Sequence, residues 1–190
     1  MVYIDEHIDD FDLQAALAYI SNQRREQALR FKHERGRRMC VLVYLLLKKA
    51  LREEYGITEN PLFEYGKHGK PQIVGHPEIC FNLSHCREAV ACAVSSRPVG
   101  IDVESVHRYK EQLAIHTMND QELARIATAE RSDVAFIRLW TMKEARLKLT
   151  GEGITTDLKT VLSDSNNYRF TTVERLNRNY LYTLCEPLTD

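Results

Sequence analysis

Acidic residues that could bind a cation stand at a short spacing in one apolar segment of the chain. The run "VGIDVE" at 99–104 contains Asp102 and Glu104 with one residue between them. Because a β-strand directs residues i and i+2 to the same face, both carboxylates would point the same way, with Ile101 and Val103 facing a core. Two adjacent anions repel each other, so the arrangement favours a cation. The alternative is a strand whose polar face simply meets water.

A second segment, "LWTMKEARLKLTGEG", combines an acid and a base on one helical face. Glu144 and Lys148 are four residues apart in it. Such a pair is often only a surface ion pair worth about 0.2–0.5 kcal/mol. Trp140 and Met142 lie on the same helix and are predicted to pack in the core, since large apolar side chains are usually buried.

Three further polar residues stand in turns or at strand ends. Lys70 lies in the turn "HGKP", and Ser84 and His85 end the strand "NLSH". An ammonium, a hydroxyl and an imidazole can all donate to phosphate oxygens. Taken singly, each has a structural alternative: a solvated lysine, or a histidine with ordinary hydrogen-bond partners.

The order of these motifs carries more information than any one of them. In sequence, "GKP", "FNLSH", "VGIDVE" and "WTMKEARLKLTGEG" resemble the surfactin-type 4′-phosphopantetheinyl transferases, from about Arg24 to Leu162. Members of that family move the 4′-phosphopantetheine arm of coenzyme A to a serine of an acyl or peptidyl carrier protein and release adenosine 3′,5′-bisphosphate. The resemblance therefore implies an enzyme with coenzyme A as its co-substrate.

The resemblance also implies a metal centre. Asp102, Glu104 and Glu144 match the acids that hold Mg²⁺ against the pyrophosphate of coenzyme A, and Mn²⁺ could replace Mg²⁺ at such oxygen ligands. Lys148 would offset the charge that builds up on the same pyrophosphate. As a hypothesis, Glu144 accepts the proton of the carrier serine.

Coenzyme A contacts are implied in the first half of the chain. Lys70, Ser84 and His85 match family positions that bind its phosphates. Arg24 and Arg38, in "QRREQALRFKHERGRR", match those that bind the 3′-phosphate, with a solvated basic helix face as the alternative.

Glu122 matches a further acid of the family. Its alternative role is an early-helix acid favoured by the helix dipole, and we do not assign it to the chemistry.

Secondary structure follows from periodicity and from the turn residues. Helices are predicted up to Gly56, with breaks near Ser21 and Gly36, then one capped by Asn119 or Asp120, and one over about 132–150 that ends at Gly151. Strands are predicted at "LFEY", "CFNLSH", "AVACAVSS" and "VGIDVE", as an antiparallel meander, and later at "KTVLS", "YRFTTVERL" and "YLYTLCEP".

The resemblance organises these elements into an α/β (α+β) fold of two similar halves related by pseudo-two-fold symmetry. Each half is expected to be a helix packed on a mainly antiparallel sheet, with the active site at the interface. Residues 1–100 would supply the coenzyme A phosphate contacts, and residues 101–190 the metal and catalytic residues.

Bulk properties exclude several classes of protein. The 190 residues are 44% hydrophobic and 28% charged, with a net charge of -1, so a broad basic surface for nucleic acid is not expected. The longest apolar run, "MCVLVYLLL", is too short to span a membrane, and the acidic amino terminus does not resemble a secretion signal. A cytoplasmic protein is expected. The five cysteines form no C-x-x-C pair, and their odd number argues against a complete disulfide framework. The apolar neighbours of Cys40 and Cys92 favour core thiols at these two positions.

The enzyme is expected to be a monomer that docks an acidic, helical carrier protein near residues 105–125, around "SVHRYKEQLAIHTM". Two alternatives remain at this point. One is a noncatalytic module of the same fold that binds coenzyme A or a carrier, and the other is a metal-dependent phosphodiesterase.

Overall fold

Two long helices each pack on a three-stranded antiparallel sheet in the computed structural model, which describes residues 1–66, 69–151 and 157–188. The helices are α1 (Leu13–Ala18), α2 (Asn22–Leu29), α3 (Glu34–Tyr55), α4 (Glu111–Thr117), α5 (Asp120–Thr128) and α6 (Ser132–Thr150). The strands are β1 (Val2–Asp5), β2 (Phe63–Tyr65), β3 (Pro71–Ile73), β4 (Cys80–His85), β5 (Val90–Ser95), β6 (Gly100–Ser105), β7 (Tyr168–Arg175) and β8 (Tyr180–Pro187).

The first sheet has the order β1-β5-β4 and is covered by α3, and the second has the order β6-β8-β7 and is covered by α6. Strands β2 and β3 form a separate hairpin. The predicted α/β class with mainly antiparallel sheets is therefore confirmed. The two-fold relation and the boundary at residue 100 stay predictions.

Helix α3 ends where the sequence predicts but begins earlier. Gly56 follows its last turn with φ of 70°, a left-handed conformation that glycine adopts without strain. The predicted break at Gly36 is wrong, because that residue lies in the first turn of α3 and the chain breaks after Leu29 instead. A Cβ at Gly36 would lie 2.8 Å from the ring of Phe31, so this glycine allows close packing rather than a turn.

The predicted meander is interrupted at β6. Strands β4 and β5 pair as predicted, but β6 pairs with β8, about 80 residues later in the chain, and not with β5. One strand prediction also fails, because "KTVLS" forms 3-10 and other turns after the Asp157 cap. Strands β1 and β3 were not anticipated from the sequence.

Helix α6 has the predicted bounds and lies unusually close to β6. Gly151 ends it with φ of 76°. A Cβ at Gly100 would lie 2.0 Å from the carbonyl oxygen of Ala145, so only glycine permits this approach of strand and helix. A chain of hydroxyls also fixes α6 to its sheet, since Thr183 is 2.8 Å from Thr141 and 2.9 Å from Thr172.

Side chains connect the two sheets. Asn82 and Ser84 on β4 accept hydrogen bonds from the backbone N–H groups of Ile101 and Val103 on β6, at 3.0 and 3.2 Å. The hydroxyl of the buried Tyr180 donates to Glu6 at 2.6 Å. The two sheets therefore share polar contacts as well as an apolar cluster.

All five cysteines are free thiols, and Cys40 and Cys92 are buried, as predicted for these two. Within the described residues, no helix combines the length and the apolar character needed to cross a membrane.

Candidate active site

Asp102 presents its two carboxylate oxygens to different surroundings. Its Oδ1 accepts hydrogen bonds from the Ser84 hydroxyl at 2.9 Å and from the Lys148 ammonium at 2.6 Å. Its Oδ2 is buried and has no hydrogen-bond partner in the described part of the chain. A buried polar atom without a partner is costly, so Oδ2 marks a place for a ligand.

Lys148 lies at the centre of this network. Besides Asp102, its ammonium donates to the Ser84 hydroxyl at 2.8 Å and to the Ile101 carbonyl at 3.3 Å. These three acceptors match the three donors of an ammonium. Lys148 on α6 thus pairs with Asp102 on β6. Among the described residues, no ion pair joins Lys148 to Glu144.

Glu104 contacts Arg108, which lies in the segment predicted to dock the carrier protein and was not predicted to contact the metal acids. One of its oxygens accepts from the Ser105 backbone at 2.9 Å, and the other is 3.2 Å from Nε of Arg108. The Arg108 guanidinium also lies over the ring of Trp140, 4.8 Å from its centre, as in a cation–π contact. The spacing of Glu104 and Arg108 suits this pair because a 3-10 turn, Val106–Arg108, follows β6.

A cavity of about 250 Å³ joins the three predicted metal acids. Burial is the first cause that raises the pKa of Glu144, and the charge of Asp102 adds to it. Burial likewise raises the pKa of Glu104. Glu144 makes no hydrogen bond or ion pair with another described residue, so negative charge is concentrated here. The cavity is lined by Asp102, Glu104, Arg108, Trp140, Glu144 and Leu158.

The donor set fits Mg²⁺ in its chemistry. Carboxylate oxygens are the protein ligands this ion prefers, and Asp102 Oδ2 is unpartnered. Within the described residues, however, no group of three or more His, Cys, Asp or Glu side chains is already gathered to hold a metal. Two of the three carboxylates are instead paired with cations, Asp102 with Lys148 and Glu104 with Arg108.

A second cavity, of about 270 Å³, brings together two of the predicted phosphate contacts, Arg24 and His85. Arg24 is 8% exposed and donates to the Cys40 carbonyl at 3.0 Å and to Gln27 at 2.8 Å. Although His85 reaches solvent, packing around its ring is the first cause that lowers its pKa, followed by the charges of Lys148 and Arg24. The lining is Arg24, Gln27, Phe31, Cys40, Val43, Phe63, Tyr65, Pro71, Leu83 and His85.

The other predicted phosphate contacts lie elsewhere. The Lys70 ammonium donates to the carbonyl of Leu149 at 2.6 Å, at the carboxyl end of α6. Arg38 donates to Glu34 and to the Phe11 carbonyl, both at 2.8 Å. Neither lines the cavity of Arg24 and His85, and Ser84 is bound to Asp102 instead.

Glu122 has the structural role at the start of a helix that was the alternative to a role in the chemistry. It forms a buried ion pair with Lys143 at 2.6 Å, and Lys143 also donates to the carbonyls of Thr117 and Leu158. Glu122 and Asn119 also form a capping box at the start of α5. Sequence reasoning missed Lys143, because nothing local marks a lysine as buried.

Comparison with known proteins shows the family of this chain. The model of the 4′-phosphopantetheinyl transferase superfamily matches residues 98–186, which include β6 and α6. The chain is 27% identical over 160 residues to the 4′-phosphopantetheinyl transferase Sfp of Bacillus subtilis (strain 168), covering 83% of this chain and 71% of Sfp. It is 30% identical over 187 residues to the 4′-phosphopantetheinyl transferase gsp of Aneurinibacillus migulanus, covering 97% of this chain and 76% of gsp.

A third relative is the 4′-phosphopantetheinyl transferase HetI of Nostoc sp. (strain PCC 7120 / SAG 25.82 / UTEX 2576), 34% identical over 152 residues, or 75% of this chain and 64% of HetI. The fold and the acidic cavity thus belong to a transferase. More particularly, the chain belongs to the 4′-phosphopantetheinyl transferase family, in its surfactin-type branch.

Proposed function

We propose that this transferase moves the 4′-phosphopantetheine arm of coenzyme A to a serine of an acyl or peptidyl carrier protein. The serine oxygen forms a bond to the β-phosphorus of coenzyme A, and the bond from that phosphorus to the bridging oxygen breaks. Adenosine 3′,5′-bisphosphate leaves. The main support is Asp102, whose Oδ1 is held by Lys148 while its Oδ2 has no described partner.

Asp102, Glu104 and Glu144 would hold the metal ion, Mg²⁺ or alternatively Mn²⁺. When bound, this ion supplies neutralisation of the pyrophosphate charge. The concentration of carboxylates in one cavity supports the assignment. Burial is the first cause that raises the pKa values of Glu104 and Glu144, and the charge of Asp102 adds to both. Glu104 must exchange its bond to Arg108 for the ion.

Glu144 and Lys148 are the proposed catalytic residues. Glu144 is the acid of the cavity without a described hydrogen-bond partner, so its carboxylate is available to accept the proton of the carrier serine. Lys148 is held beside Asp102. By exchanging its longest hydrogen bond, at 3.3 Å to the Ile101 carbonyl, it would donate to a phosphate oxygen as negative charge develops on the leaving group.

Arg24 and His85 are the proposed contacts of the coenzyme A phosphates. Their shared cavity supports this assignment, because a buried guanidinium and an imidazole N–H can both donate to phosphate oxygens. Lys70 and Arg38 also remain proposed phosphate contacts, and each would have to leave its present carbonyl partner.

The carrier is proposed to dock on residues 105–125 of a monomeric enzyme in the cytoplasm. This segment contains α4, whose Ile115 is 51% exposed, and the exposed Lys110. An exposed cation and an exposed apolar side chain in one segment suit an acidic, amphipathic helix.

The first test is intact-protein mass spectrometry of an apo carrier protein incubated with the enzyme, coenzyme A and Mg²⁺. We expect the carrier to gain the mass of one phosphopantetheine arm, and to gain none with EDTA or with Asp102→Ala. If carriers from fatty-acid, polyketide and peptide synthesis all stay unmodified while coenzyme A still binds, the proposed reaction is wrong.

A further inference from the structure

Ser84 has no hydrogen-bonding capacity left for a phosphate. A hydroxyl offers one donor and two acceptor sites. The Ser84 hydroxyl donates to Asp102 Oδ1 at 2.9 Å and accepts from the Val103 backbone at 3.2 Å and from Lys148 at 2.8 Å. Ser84 is also only 6% exposed. All three sites are therefore used inside the protein.

Asn82 repeats part of this arrangement two residues earlier on the same face of β4. Its side-chain oxygen accepts from the backbone N–H of Ile101 at 3.0 Å, and it is likewise 6% exposed. The N–H groups bound by Asn82 and Ser84 belong to the two residues that flank Asp102. The two side chains, here called the strand clamp, thus fix β6 on both sides of the metal acid.

We propose that the strand clamp positions Asp102, and that Ser84 is a positioning residue for this acid and not a phosphate contact. With Ser84 and Lys148 both on Oδ1, the carboxylate cannot rotate freely, and Oδ2 is reserved for the metal ion. This inference rests on the proposed function, because it presumes that Asp102 binds a metal.

Loss of the Ser84 hydroxyl has a specific consequence. Among the described residues, Oδ1 of Asp102 then keeps one hydrogen-bond donor, Lys148, and the buried N–H of Val103 loses its acceptor. Outer groups that orient a metal ligand typically contribute about 10–100-fold to metal affinity. The loss should therefore weaken the metal site and leave the Arg24 and His85 cavity unchanged.

The test measures two affinities of the purified full chain without a carrier protein. Mn²⁺ binding is titrated by electron paramagnetic resonance, and coenzyme A binding is measured by calorimetry in EDTA. We expect Ser84→Ala to weaken Mn²⁺ binding about tenfold or more, with the metal-free affinity for coenzyme A unchanged. Ser84→Thr, which keeps the hydroxyl, should restore Mn²⁺ binding.

His85→Ala is the matched control, since His85 follows Ser84 on β4 but lines the other cavity. It should weaken coenzyme A binding and leave Mn²⁺ binding unchanged. If Ser84→Ala is poorly folded, Ser84→Cys preserves the packing volume and takes its place.

The inference is overturned if Ser84→Ala weakens coenzyme A binding in EDTA while Mn²⁺ affinity is retained, which is the behaviour of a phosphate contact. A loss of both affinities, or of neither, overturns it as well. Failure of the proposed function has a different signature, because then the unmodified enzyme binds no Mn²⁺ or modifies no carrier.

Discussion

At the scale of single residues, the acidic cavity is only partly neutralised by its own side chains. Lys148 pairs with Asp102, and Arg108 pairs with Glu104. Glu144 has no ion pair with the described residues, and burial together with the charge of Asp102 raises its pKa. We therefore expect Glu144 to determine both the chemistry of the site and its dependence on pH.

Glu144→Gln should remove proton acceptance and one metal ligand while preserving shape. We expect the rate of carrier modification to fall by about 10²–10⁴, the usual contribution of a positioned acid or base. Kinetics with apo carrier at saturating coenzyme A measure this effect, and Glu130→Gln at an exposed position serves as the control. Normal turnover with normal Mg²⁺ dependence would show that Glu144 has neither role.

The same residue predicts how stability varies with pH in EDTA. A carboxyl whose pKa is raised in the folded state binds more protons there than in the unfolded chain, so its stabilising contribution is present below the unfolded pKa of about 4.3 and is lost as pH rises. The free energy of unfolding of Glu144→Gln, relative to the unmodified protein, should therefore increase from about pH 5 to about pH 8.

Urea denaturation in EDTA at the two pH values measures this difference. Added Mg²⁺ provides the control, because at the higher pH it should stabilise the unmodified protein more than the variant. A difference between the two proteins that stays constant with pH would contradict the raised pKa.

At the scale of elements, the distance between β6 and α6 decides whether the site can form. Asp102 belongs to the strand and Lys148 to the helix, yet their charged groups are 2.6 Å apart. Gly100 makes this possible, since it lets the backbone of β6 approach α6 without an intervening side chain.

Gly100→Ala should force strand and helix apart. Overpacking typically costs about 1–3 kcal/mol, and here the obstacle is a backbone carbonyl that cannot turn aside, so we expect the upper end of that range and a loss of Mn²⁺ binding. Urea denaturation and a Mn²⁺ titration test this. Gly66→Ala is the control, because its nearest neighbour atom is 3.8 Å from the added Cβ and its φ is not positive. Equal stability of the two variants would exclude a close approach at Gly100.

The ion pair of Glu122 and Lys143 couples α5 to α6. Both side chains are at most 5% exposed. Lys143→Met leaves Glu122 buried without its cation, so we expect a loss of about 3–5 kcal/mol in the free energy of unfolding. The double variant with Glu122→Gln should recover part of that loss. If Lys143→Met changes turnover but not stability, the pair acts in the chemistry and not in the packing.

Sequence reasoning succeeded for features that depend on nearby residues. The ends of α6, the cap at Asn119 and the strands β4 and β6 follow from periodicity and turn residues. It failed where distant segments decide, as in the pairing of β6 with β8. For the site, it grouped Asp102, Glu104 and Glu144 but missed Arg108 and Lys143, whose partners depend on a short turn and on helix packing.

At the scale of the whole molecule, residues 105–125 contribute one cation to the acidic cavity and another to the surface proposed to dock the carrier. Arg108 faces the acidic cavity through Glu104, while Lys110 is exposed at the start of α4. A charge reversal at Arg108 would therefore disturb the metal site, and docking must be tested at Lys110.

Lys110→Glu should raise the KM for an acidic carrier protein and leave Mn²⁺ and coenzyme A binding unchanged. The reason is that complementary surface charge acts mainly on encounter, so the effect should also decrease as salt increases. Steady-state kinetics at two salt concentrations measure it, with Lys49→Glu on the exposed face of α3 as control. An unchanged KM would remove this surface from the docking proposal.

The cysteines have a further consequence for a protein proposed to handle coenzyme A, which itself ends in a thiol. Four of the five cysteines are buried, and burial raises the pKa of Cys86 and Cys185 to about 12. Disulfide exchange requires a thiolate that can reach its target. The buried thiols are therefore shielded from exchange with a disulfide form of coenzyme A, and the partly exposed Cys80 is the cysteine at which such exchange should be sought.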